Sequence, residues 1–462
     1  MQPPFTRHSR RDNISRLRQE VWDVLVLGGG INGAGVARDL ALREPARNIA
    51  LVEKRHFASG ASGKNSQLIH GGLRYLKNLE LGLVRESLHE RATLLRMAPH
   101  LVTPLKFLIP MYGWSERLFY GTGLFLYDLL AGSSNVGKHT DLSRDDVEQL
   151  EPGLARDGLT SAGVYYDCLI QSARFVLENV LDAARRGAVV VNYCEASGYA
   201  RSGDLFSIQL QEMISGERFQ ARARRIVDCT GPWSANGPLR LVRGSHILLP
   251  NVLQSDHAIA HFEEAGRIVF VIPWWGGRLC LVGTTDVDHE GSPDDVRISR
   301  GEVDYLMRIV RRLFPKSAAE PISGYSSLRP LLMSGNASPT KTSREHRIWK
   351  SADGVLHVAG GKYTTYRAMA DETVSHLSSR PCVTATTPLP DSAPPQLTVE
   401  YAAEHEMARR LPDYLFGSTY LGYERPECID EFGREMAAIC GWDEARLSEE
   451  VNLSRRISGL PD

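Results

Sequence analysis

The stretch Asp23-Val-Leu-Val-Leu-Gly-Gly-Gly-Ile-Asn-Gly33 decides the fold. Its first half is short, apolar and β-branched, which is typical of a buried strand in a parallel sheet. Its second half is G-x-G-x-x-G, with glycines at 28, 30 and 33, and an amphipathic helical pattern follows. A further apolar run, residues 48–52, completes a βαβ unit. In such a unit Gly28 permits a tight turn, Gly30 lets the backbone approach a pyrophosphate, and Gly33 lets helix and strand pack closely.

The residues around this turn narrow the choice of dinucleotide. The helix start, where Asn32 lies, offers backbone N–H groups and a positive dipole end to phosphates. Glu53 stands 20 residues after Gly33, where a carboxylate accepts hydrogen bonds from ribose hydroxyls. Such a carboxylate would repel a 2′-phosphate, so we expect FAD or NAD rather than NADP.

Two later strands decide between FAD and NAD. Residues 225–229 run into Thr230-Gly231, and residues 354–359 run into Gly360-Gly361. Both turns can bring backbone close to an extended cofactor, and three approach points suit the long FAD molecule. The chain contains one dinucleotide fingerprint, whereas a flavin enzyme reduced by NAD(P)H commonly carries two. We therefore expect FAD that is reduced directly by a small substrate.

Composition excludes several other classes of protein. The 462 residues are 42% hydrophobic and 24% charged, which is ordinary globular usage, and at roughly 100–200 residues per domain they predict two or three domains. Lys+Arg number 54 and Asp+Glu 55, a balance that argues against a nucleic-acid binder. The seven cysteines include no CxxC, which argues against a disulfide scaffold or zinc ribbon, and no metal is expected. No run of 18 apolar residues or signal peptide is apparent, so we expect a cytoplasmic protein.

A second glycine motif is a decoy. Residues 132–138 match GxxxxGK, but His139 follows where magnesium coordination needs Ser or Thr, and no buried strand precedes them. We expect a flexible loop.

The chain divides into four parts by its patterning. Residues 1–20 form a basic arm, either a solvated extension or a surface helix that touches anionic lipid. Residues 21–380 alternate strands and helices, which predicts an α/β core. The Pro/Thr-rich residues 381–395 resemble a linker, and residues 396–462 predict a small C-terminal helical domain.

Several segments carry a resemblance to a known family: GGGINGAG at 28–35, LIHGGLRYL at 68–76, MAPHLVTPL at 97–105, LFLYDLLAG at 124–132, RGSHILLP at 243–250, GTTDV at 283–287, LRPL at 328–331 and GGKYTTYR at 360–367. With them the chain resembles the FAD-dependent glycerol-3-phosphate dehydrogenase family, within the wider group that includes D-amino-acid oxidase. A weaker match at 399–415 resembles the family's C-terminal helical domain. The family's Arg-Arg-Thr beyond that point is replaced by FGST at 416–419, so the role of this domain stays open.

The resemblance implies a Rossmann-type FAD-binding domain interleaved with a mixed-sheet substrate-binding domain. The FAD-binding segments are expected at about 21–80, 173–235 and 350–380. The substrate-binding segments are expected at about 81–172 and 236–349.

The implied reaction is oxidation of sn-glycerol 3-phosphate to dihydroxyacetone phosphate by hydride transfer to FAD. The resemblance implies three catalytic residues: His246 as general base, Arg329, and Lys362, a cation for the reduced flavin. It implies that the substrate is bound by Arg74, Tyr75 and Arg344.

Further residues are expected to contact the cofactor, partly from the fingerprint and partly from the resemblance. They are Gly28, Gly30, Asn32, Gly33, Glu53, Lys54, Ser62, Lys64, His70, Thr230, Gly231, Gly360, Gly361, Thr364 and Thr365. The family commonly has Lys where Gln67 stands, and Gln67 is given no role.

Several alternatives stay open at this point. The electron acceptor is expected to be a quinone, but an oxidase that uses oxygen would share every residue above. A related enzyme acting on another phosphorylated or carboxylated alcohol, or a non-catalytic flavin-binding protein, would carry similar motifs. Quinone is lipid-soluble, so peripheral contact with the inner face of the cytoplasmic membrane is expected through the 7–18 arm and the apolar 107–131 region, including Phe107, Trp114, Phe119 and Phe125. A homodimer is left open.

Overall fold

The computed structural model describes residues 6–234, 239–263, 266–332 and 345–461. A six-stranded sheet carries the glycine turn. Its strands are parallel except for the antiparallel edge strand named first here. In order they are His346–Lys350, Leu356–Gly360, Ile226–Asp228, Val24–Leu27, Ile49–Val52 and Val189–Val191.

Both faces of this sheet are covered, which is why Val24–Leu27 is apolar at every position. Val24 and Val26 pack in one core cluster with the helices of one face, whereas Leu25 and Leu27 pack in another cluster with a smaller sheet. The helices are Ile31–Arg43, Ser172–Arg185 and Tyr366–Ser375. The smaller sheet contains, in order, Val21–Trp22, Arg218–Ala223, Leu205–Glu212 and Cys194–Ser202.

A large mixed sheet forms the second layer. Its main path is Val287–Asp288, Leu239–Pro250, Leu279–Gly283, Ile268–Pro273, Ala258–Phe262, Val102–Met111, Ser161–Ile170 and Leu68–Ile69. Ser323–Leu332 also pairs with Leu239–Pro250, and Thr140–Ser143 pairs with Ser161–Ile170.

Further helices and short 3-10 turns lie around the two large sheets. The α-helices are Leu81–Met97, Trp114–Ala131, Arg144–Leu150 and Arg300–Leu313. The 3-10 turns are Leu73–Asn78, Gly132–Ser134, Gly231–Trp233 and Tyr363–Thr365. The decoy motif thus begins directly after a helix rather than after a buried strand.

The C-terminal segment is helical, as the sequence predicted, but it packs into the core. Tyr420 stacks on Trp275 with ring centroids 5.2 Å apart, and Glu406 forms a buried ion pair with Arg174. Its helices, including one π-helix at 413–418, are Val399–His405, Asp413–Ser418, Leu421–Glu424, Pro426–Cys428, Ile429–Cys440 and Glu444–Ser458.

Two predictions for irregular segments are corrected. The described part of the N-terminal arm, residues 6–20, is not a solvated extension. Its helix Arg7–Gln19 docks on the core, with Leu17 fully buried and Arg10 paired with Glu212 at 2.6 Å. Residues 381–395 contain no regular element, yet they are not a free linker. Arg38 donates hydrogen bonds to the carbonyls of residues 387 and 388, which ties this segment to the core.

Two strands belong to a different sheet from the one that the predicted domain boundaries assign to them. Leu68–Ile69 belongs to the large mixed sheet although residues 21–80 were assigned to FAD binding. His346–Lys350 belongs to the six-stranded sheet although residues 236–349 were assigned to substrate binding. Each of these strands pairs within one sheet only, and sequence patterning does not show to which sheet a strand belongs. Among the described residues, no helix has the length and apolar character to span a membrane.

Candidate active site

A cavity of about 500 Å³ lies between the six-stranded sheet and the large mixed sheet. It is lined by most of the predicted residues: His246, Arg329, Lys362, Tyr75, Gly28, Gly30, Asn32, Glu53, Lys54, Ser62, Lys64, His70, Thr230, Gly231, Gly360, Gly361 and Thr364. Gly33 and Thr365 do not line it. Arg344 lies outside the described residues, and so does the side chain of Arg74, whose backbone lies in the 3-10 turn Leu73–Asn78.

The first glycine turn has the close packing that its sequence predicts. Gly28 has a φ of +99°, and a Cβ atom there would lie 2.6 Å from the Cys229 carbonyl oxygen. A Cβ on Gly33 would lie 1.9 Å from the carbonyl oxygen of Gly28, so Gly33 acts by helix–strand packing rather than by lining the cavity. Gly30 precedes the helix and borders the cavity, with Ser62 Oγ 3.0 Å from the position of an added Cβ.

Polar groups on Glu53 and Ser62 hold this turn. Glu53 Oε2 accepts from Gly29 N at 2.6 Å, and Oε1 accepts from Arg55 N at 2.9 Å. Burial raises the pKa of Glu53. Ser62 Oγ accepts from Ile31 N at 2.9 Å, which supplies one partner for the open N–H groups of the helix start.

Lys54 and Lys64 differ in their surroundings. Lys54 Nζ lies 2.7 Å from Asp294 Oδ1 and over the ring of Trp233, so its charge is paired at the cavity rim. Lys64 lies deeper, and burial together with the charge of Arg55 lowers its pKa to about 8.

His246 lies in the strand Leu239–Pro250, directly opposite Gly283. A Cβ on Gly283 would lie 2.1 Å from His246 Cδ2, so the absence of a side chain there leaves room for the imidazole. Its ring stacks on Tyr325 with centroids 5.1 Å apart, and its Nε2 lies 2.9 Å from Ser66 Oγ. Burial, and then the charge of Arg329, lowers the pKa of His246 to about 3. Both effects disfavour the protonated ring, so the imidazole is neutral at physiological pH.

Arg329 crosses from the neighbouring strand, with its guanidinium over Gly244, where a Cβ would lie 2.2 Å from Nη2. Its Nη1 donates to Asp286 Oδ1 at 2.5 Å and to the Thr285 carbonyl at 3.1 Å. Its Nη2 donates to Thr284 Oγ1 at 2.7 Å. These bonds fix the plane of the guanidinium at the cavity wall.

Lys362 follows the last glycine pair and is 8% exposed. Its Nζ donates to Ser87 Oγ at 3.0 Å and lies 3.9 Å from the centroid of the Tyr75 ring, a cation–π distance. Thr364 Oγ1 exchanges hydrogen bonds with the backbone N–H and carbonyl of His70, at 3.2 and 3.3 Å. The LIHGGLRYL and GGKYTTYR segments are therefore joined at the cavity.

Thr230, the third approach point, is oriented by a buried acid. Its N–H and hydroxyl both donate to Asp228 Oδ1, at 3.0 and 2.6 Å, and His357 Nδ1 lies 2.9 Å from Oδ2. Burial opposes the charge on Asp228, but hydrogen bonds from His357, Thr230 and Ser234 outweigh it and lower the pKa of this carboxyl.

These residues fit FAD. Backbone turns approach the same cavity at residues 28–30, 230–231 and 360–361, and the helix start and a ribose-type carboxylate lie at one end.

A cluster of possible metal ligands lies elsewhere among the described residues, where the side chains of Asp39, Asp371 and Cys382 come within 4.8 Å of one another. Arg43 bonds both of those carboxylates at 2.7 Å, so they form an ion-pair cluster.

Comparison with known families agrees with this geometry. The sequence model of the FAD-dependent oxidoreductases matches residues 23–374, which is most of the chain. The chain belongs to the FAD-dependent oxidoreductase family. Its predicted fold class and its predicted cofactor, FAD, are both confirmed.

Individual members of this family support a closer relationship. The chain is 36% identical to the glycerol-3-phosphate dehydrogenase of Synechocystis, over 87% of this chain and 80% of that one. It is 37% identical to glycerol-3-phosphate dehydrogenase 2 of Mycobacterium tuberculosis, over 78% of this chain but 63% of that one. The glycerol-3-phosphate dehydrogenase of Bacillus halodurans, solved in complex with FAD, superposes with a TM-score of 0.79 at 22% identity over 98% of both chains. The predicted family is confirmed.

Sequence reasoning missed several residues of this oxidoreductase site. Asp167 is buried beside the cavity and accepts from Gly71 N at 3.2 Å, Tyr127 Oη at 2.7 Å and Arg91 Nη1 at 2.8 Å. It thereby holds the Gly71 backbone of the LIHGGLRYL segment. Asp286, Ser66 and Gln67 were also missed, because nothing in their local spacing shows which distant side chains they meet.

Proposed function

We propose that this flavoprotein oxidises sn-glycerol 3-phosphate to dihydroxyacetone phosphate and passes the electrons to a quinone. The observation that carries the proposal is that one cavity joins the dinucleotide turn to His246, Arg329 and Lys362. A secondary alcohol that bears a phosphate needs a base, an electron acceptor and fixed cations. The cavity wall offers an imidazole and cations beside the turns that would hold FAD, the electron acceptor.

Arg329 and Lys362 suit different parts of the reaction. The guanidinium of Arg329 is planar and held from two directions, which suits an oxygen anion of the substrate. Arg74 and Arg344 are predicted to bind the phosphate with Tyr75. These roles stay predictions.

His246 is the predicted general base. Its neutral imidazole has a lone pair for the proton of the hydroxyl at C2, while burial makes the ring a weaker base than a solvated imidazole. His246 Nε2 is already hydrogen-bonded to Ser66 Oγ at 2.9 Å. Because an imidazole nitrogen makes one such bond, the substrate hydroxyl must displace the Ser66 hydroxyl to reach Nε2.

Lys362 is predicted to stabilise negative charge on the reduced cofactor. The chemistry that FAD supplies at such a site is acceptance of a hydride from carbon. Lys362 is buried and held by Ser87 and Tyr75, so its charge acts with little screening from water.

An exposed apolar surface supports a lipid-soluble acceptor. On the helix Trp114–Ala131, Trp114 is 78% exposed and Phe125 is 62% exposed. We call the exposed large apolar side chains of this helix the apolar ridge; they are Trp114, Leu118, Phe119, Phe125 and Leu129. Phe107, which was included in the predicted membrane surface, is instead fully buried. We propose that the ridge binds the inner face of the cytoplasmic membrane, where quinone is dissolved.

Anaerobic stopped-flow measurement of flavin bleaching tests the substrate. Glycerol lacks the phosphate, and a lost charge-assisted hydrogen bond costs about 1.5–3 kcal/mol. Losing two would cost about 3–6 kcal/mol, so glycerol should reduce the flavin at least about a hundredfold less efficiently than glycerol 3-phosphate. Equal efficiencies would mean that the arginines serve another anion and would remove this substrate.

The electron acceptor is tested on the reduced enzyme. Reoxidation by a soluble quinone should be fast, with little oxygen consumption in its absence. Rapid oxygen consumption with peroxide formation would instead identify an oxidase.

A further inference from the structure

The side chain of Gln67 connects three segments of the chain through buried hydrogen bonds. It is fully buried, and its Nε2 donates to the Gly63 carbonyl at 3.2 Å. Its Oε1 accepts two hydrogen bonds, from Ser172 N and from Tyr420 Oη, both at 3.0 Å. A lysine could not replace it, since an ammonium has no acceptor for those two donors.

The backbone of Gln67 needs this support. Its φ is +55°, in the left-handed region that side chains other than glycine seldom adopt. Its N–H donates to Asn65 Oδ1 at 2.8 Å, and its carbonyl accepts from Ile170 N at 2.9 Å. The turn so fixed carries Ser66, whose Oγ lies 2.9 Å from His246 Nε2.

Tyr420 brings the C-terminal segment to Gln67. Its ring stacks on Trp275 at an interplanar angle of 14° and meets Trp274 edge-on, with centroids 5.4 Å apart. Its hydroxyl also accepts from Ala173 N at 3.0 Å. The hydroxyl is thus held by two elements that are distant in sequence, and it has a fixed direction toward Gln67.

We propose that Tyr420 is a positioning residue for the predicted base, acting through Gln67 and Ser66 on His246. The C-terminal segment then contributes to turnover by positioning the His246 imidazole, without contacting the substrate. This inference rests on the proposed function.

Tyr420→Phe tests the inference, because it keeps the stacked ring and removes only the hydroxyl. The matched control is Tyr414→Phe: Tyr414 is also buried in the C-terminal segment, but its hydroxyl donates to the Leu397 carbonyl at 3.3 Å. In FAD-loaded enzyme we expect Tyr420→Phe to lower the rate of flavin reduction at saturating glycerol 3-phosphate by about two- to tenfold, the worth of one hydrogen bond. The apparent Kd for substrate and the FAD content should stay within about twofold of the wild type, as in the control.

A double-mutant cycle separates positioning from a general structural effect. If Tyr420 acts through Ser66, Tyr420→Phe should add almost nothing in a Ser66→Ala background. An unchanged reduction rate in Tyr420→Phe, or an effect of equal size in both backgrounds, would overturn the inference. Should Tyr420→Phe fold poorly, Gln67→Met takes its place in the cycle.

If glycerol 3-phosphate does not bleach the wild type, the proposed function fails. The contact between Gln67 and Tyr420 is then tested by the free energies of unfolding of Gln67→Met, Tyr420→Phe and the double variant. If the two single losses simply add in the double variant, the side chains are not coupled and the inference is overturned.

Discussion

Arg329 and Asp286 form an ion pair at the wall of the active-site cavity, with 2.5 Å between Nη1 and Oδ1. The carboxylate side chain is almost completely buried and the guanidinium side chain is 17% exposed. Since Thr284 holds the other Nη, the plane of the guanidinium is set before substrate arrives. A guanidinium that is fixed in advance can stabilise negative charge that develops on a substrate oxygen without having to reorient.

Replacing Arg329 by Lys should therefore be damaging although the charge is kept. An ammonium offers one nitrogen in place of the two that reach Thr284 and Asp286. We expect kcat/KM for glycerol 3-phosphate to fall at least about tenfold in steady-state assays with an artificial acceptor. Arg347→Lys is the control, since Arg347 is exposed on the edge strand and should tolerate the change. Equal losses in both variants would count against the assigned geometry.

His246→Ala should lower the rate of flavin reduction far more than it weakens substrate binding. A positioned general base typically contributes about 10²–10⁴-fold. Stopped-flow bleaching across a range of glycerol 3-phosphate concentrations separates the limiting rate from the apparent Kd. His405→Ala, at an exposed position in the C-terminal segment, should leave both unchanged. A normal limiting rate in His246→Ala would show that another group takes the proton.

The burial of His246 also predicts how stability depends on pH. The pKa of this imidazole is about 3 in the folded protein, below its ordinary value of 6.5, so between these pH values the unfolded chain binds a proton that the folded chain does not. The free energy of unfolding should thus fall as pH drops through this window, by at most about 1.4 kcal/mol per pH unit from this group. Denaturant titrations between pH 6 and 4, a range within that window, test this expectation. The free energy of unfolding of His246→Gln should fall less steeply over this range than that of the wild type. Parallel slopes for the two proteins would contradict the shifted pKa.

Gly30→Val should abolish FAD binding. A side chain at Gly30 would project toward Ser62 Oγ and into the cavity where backbone is expected to approach the pyrophosphate. The variant should be purified without the visible absorption of flavin. Gly82→Ala is the control, since a Cβ there meets nothing within 4 Å. Full flavin content in Gly30→Val would show that the cofactor does not use this turn.

Substitution of the apolar ridge should reduce membrane binding. Exchanging Trp114, Phe119 and Phe125 for Ser removes three exposed aromatic side chains at no cost to the core. In flotation with vesicles, with and without anionic lipid, the wild type should float and this variant should not. The matched control exchanges Met213 and Ile214, each 42% exposed elsewhere on the surface, for Ser. A wild type that stays unbound with both vesicle types would remove the proposed membrane contact.

The local parts of this architecture could be predicted, because they depend on neighbours in sequence. Gly28, Gly30 and Gly33 specify a turn, and the strand and helix around them follow from periodicity. The partners of His246 could not be predicted in the same way. Ser66 lies 180 positions away from it, and Gly283 faces it from the adjacent strand, so only the completed sheet shows why those residues matter.

Two predictions from composition were wrong because long-range contacts hold segments whose own composition is typical of exposed chain. The Pro/Thr-rich segment at 381–395 has the composition of a linker, yet Arg38 donates to two of its carbonyls and Leu389 is buried. The basic arm has the composition of a solvated extension, yet Arg10 is buried against Glu212. A buried arginine and a buried backbone need partners, and those partners lie far away in sequence.

The docking of the C-terminal segment has a consequence for synthesis. Domains generally fold as they leave the ribosome, and residues near the glycine turn emerge long before Tyr420 and Tyr423 do. Tyr423 packs beneath Tyr325 with ring centroids 4.9 Å apart, and Tyr325 in turn supports the imidazole. A growing chain that has not reached these tyrosines has a nucleotide-binding turn but an unsupported base. We expect such a nascent chain to acquire affinity for FAD before it can turn over substrate.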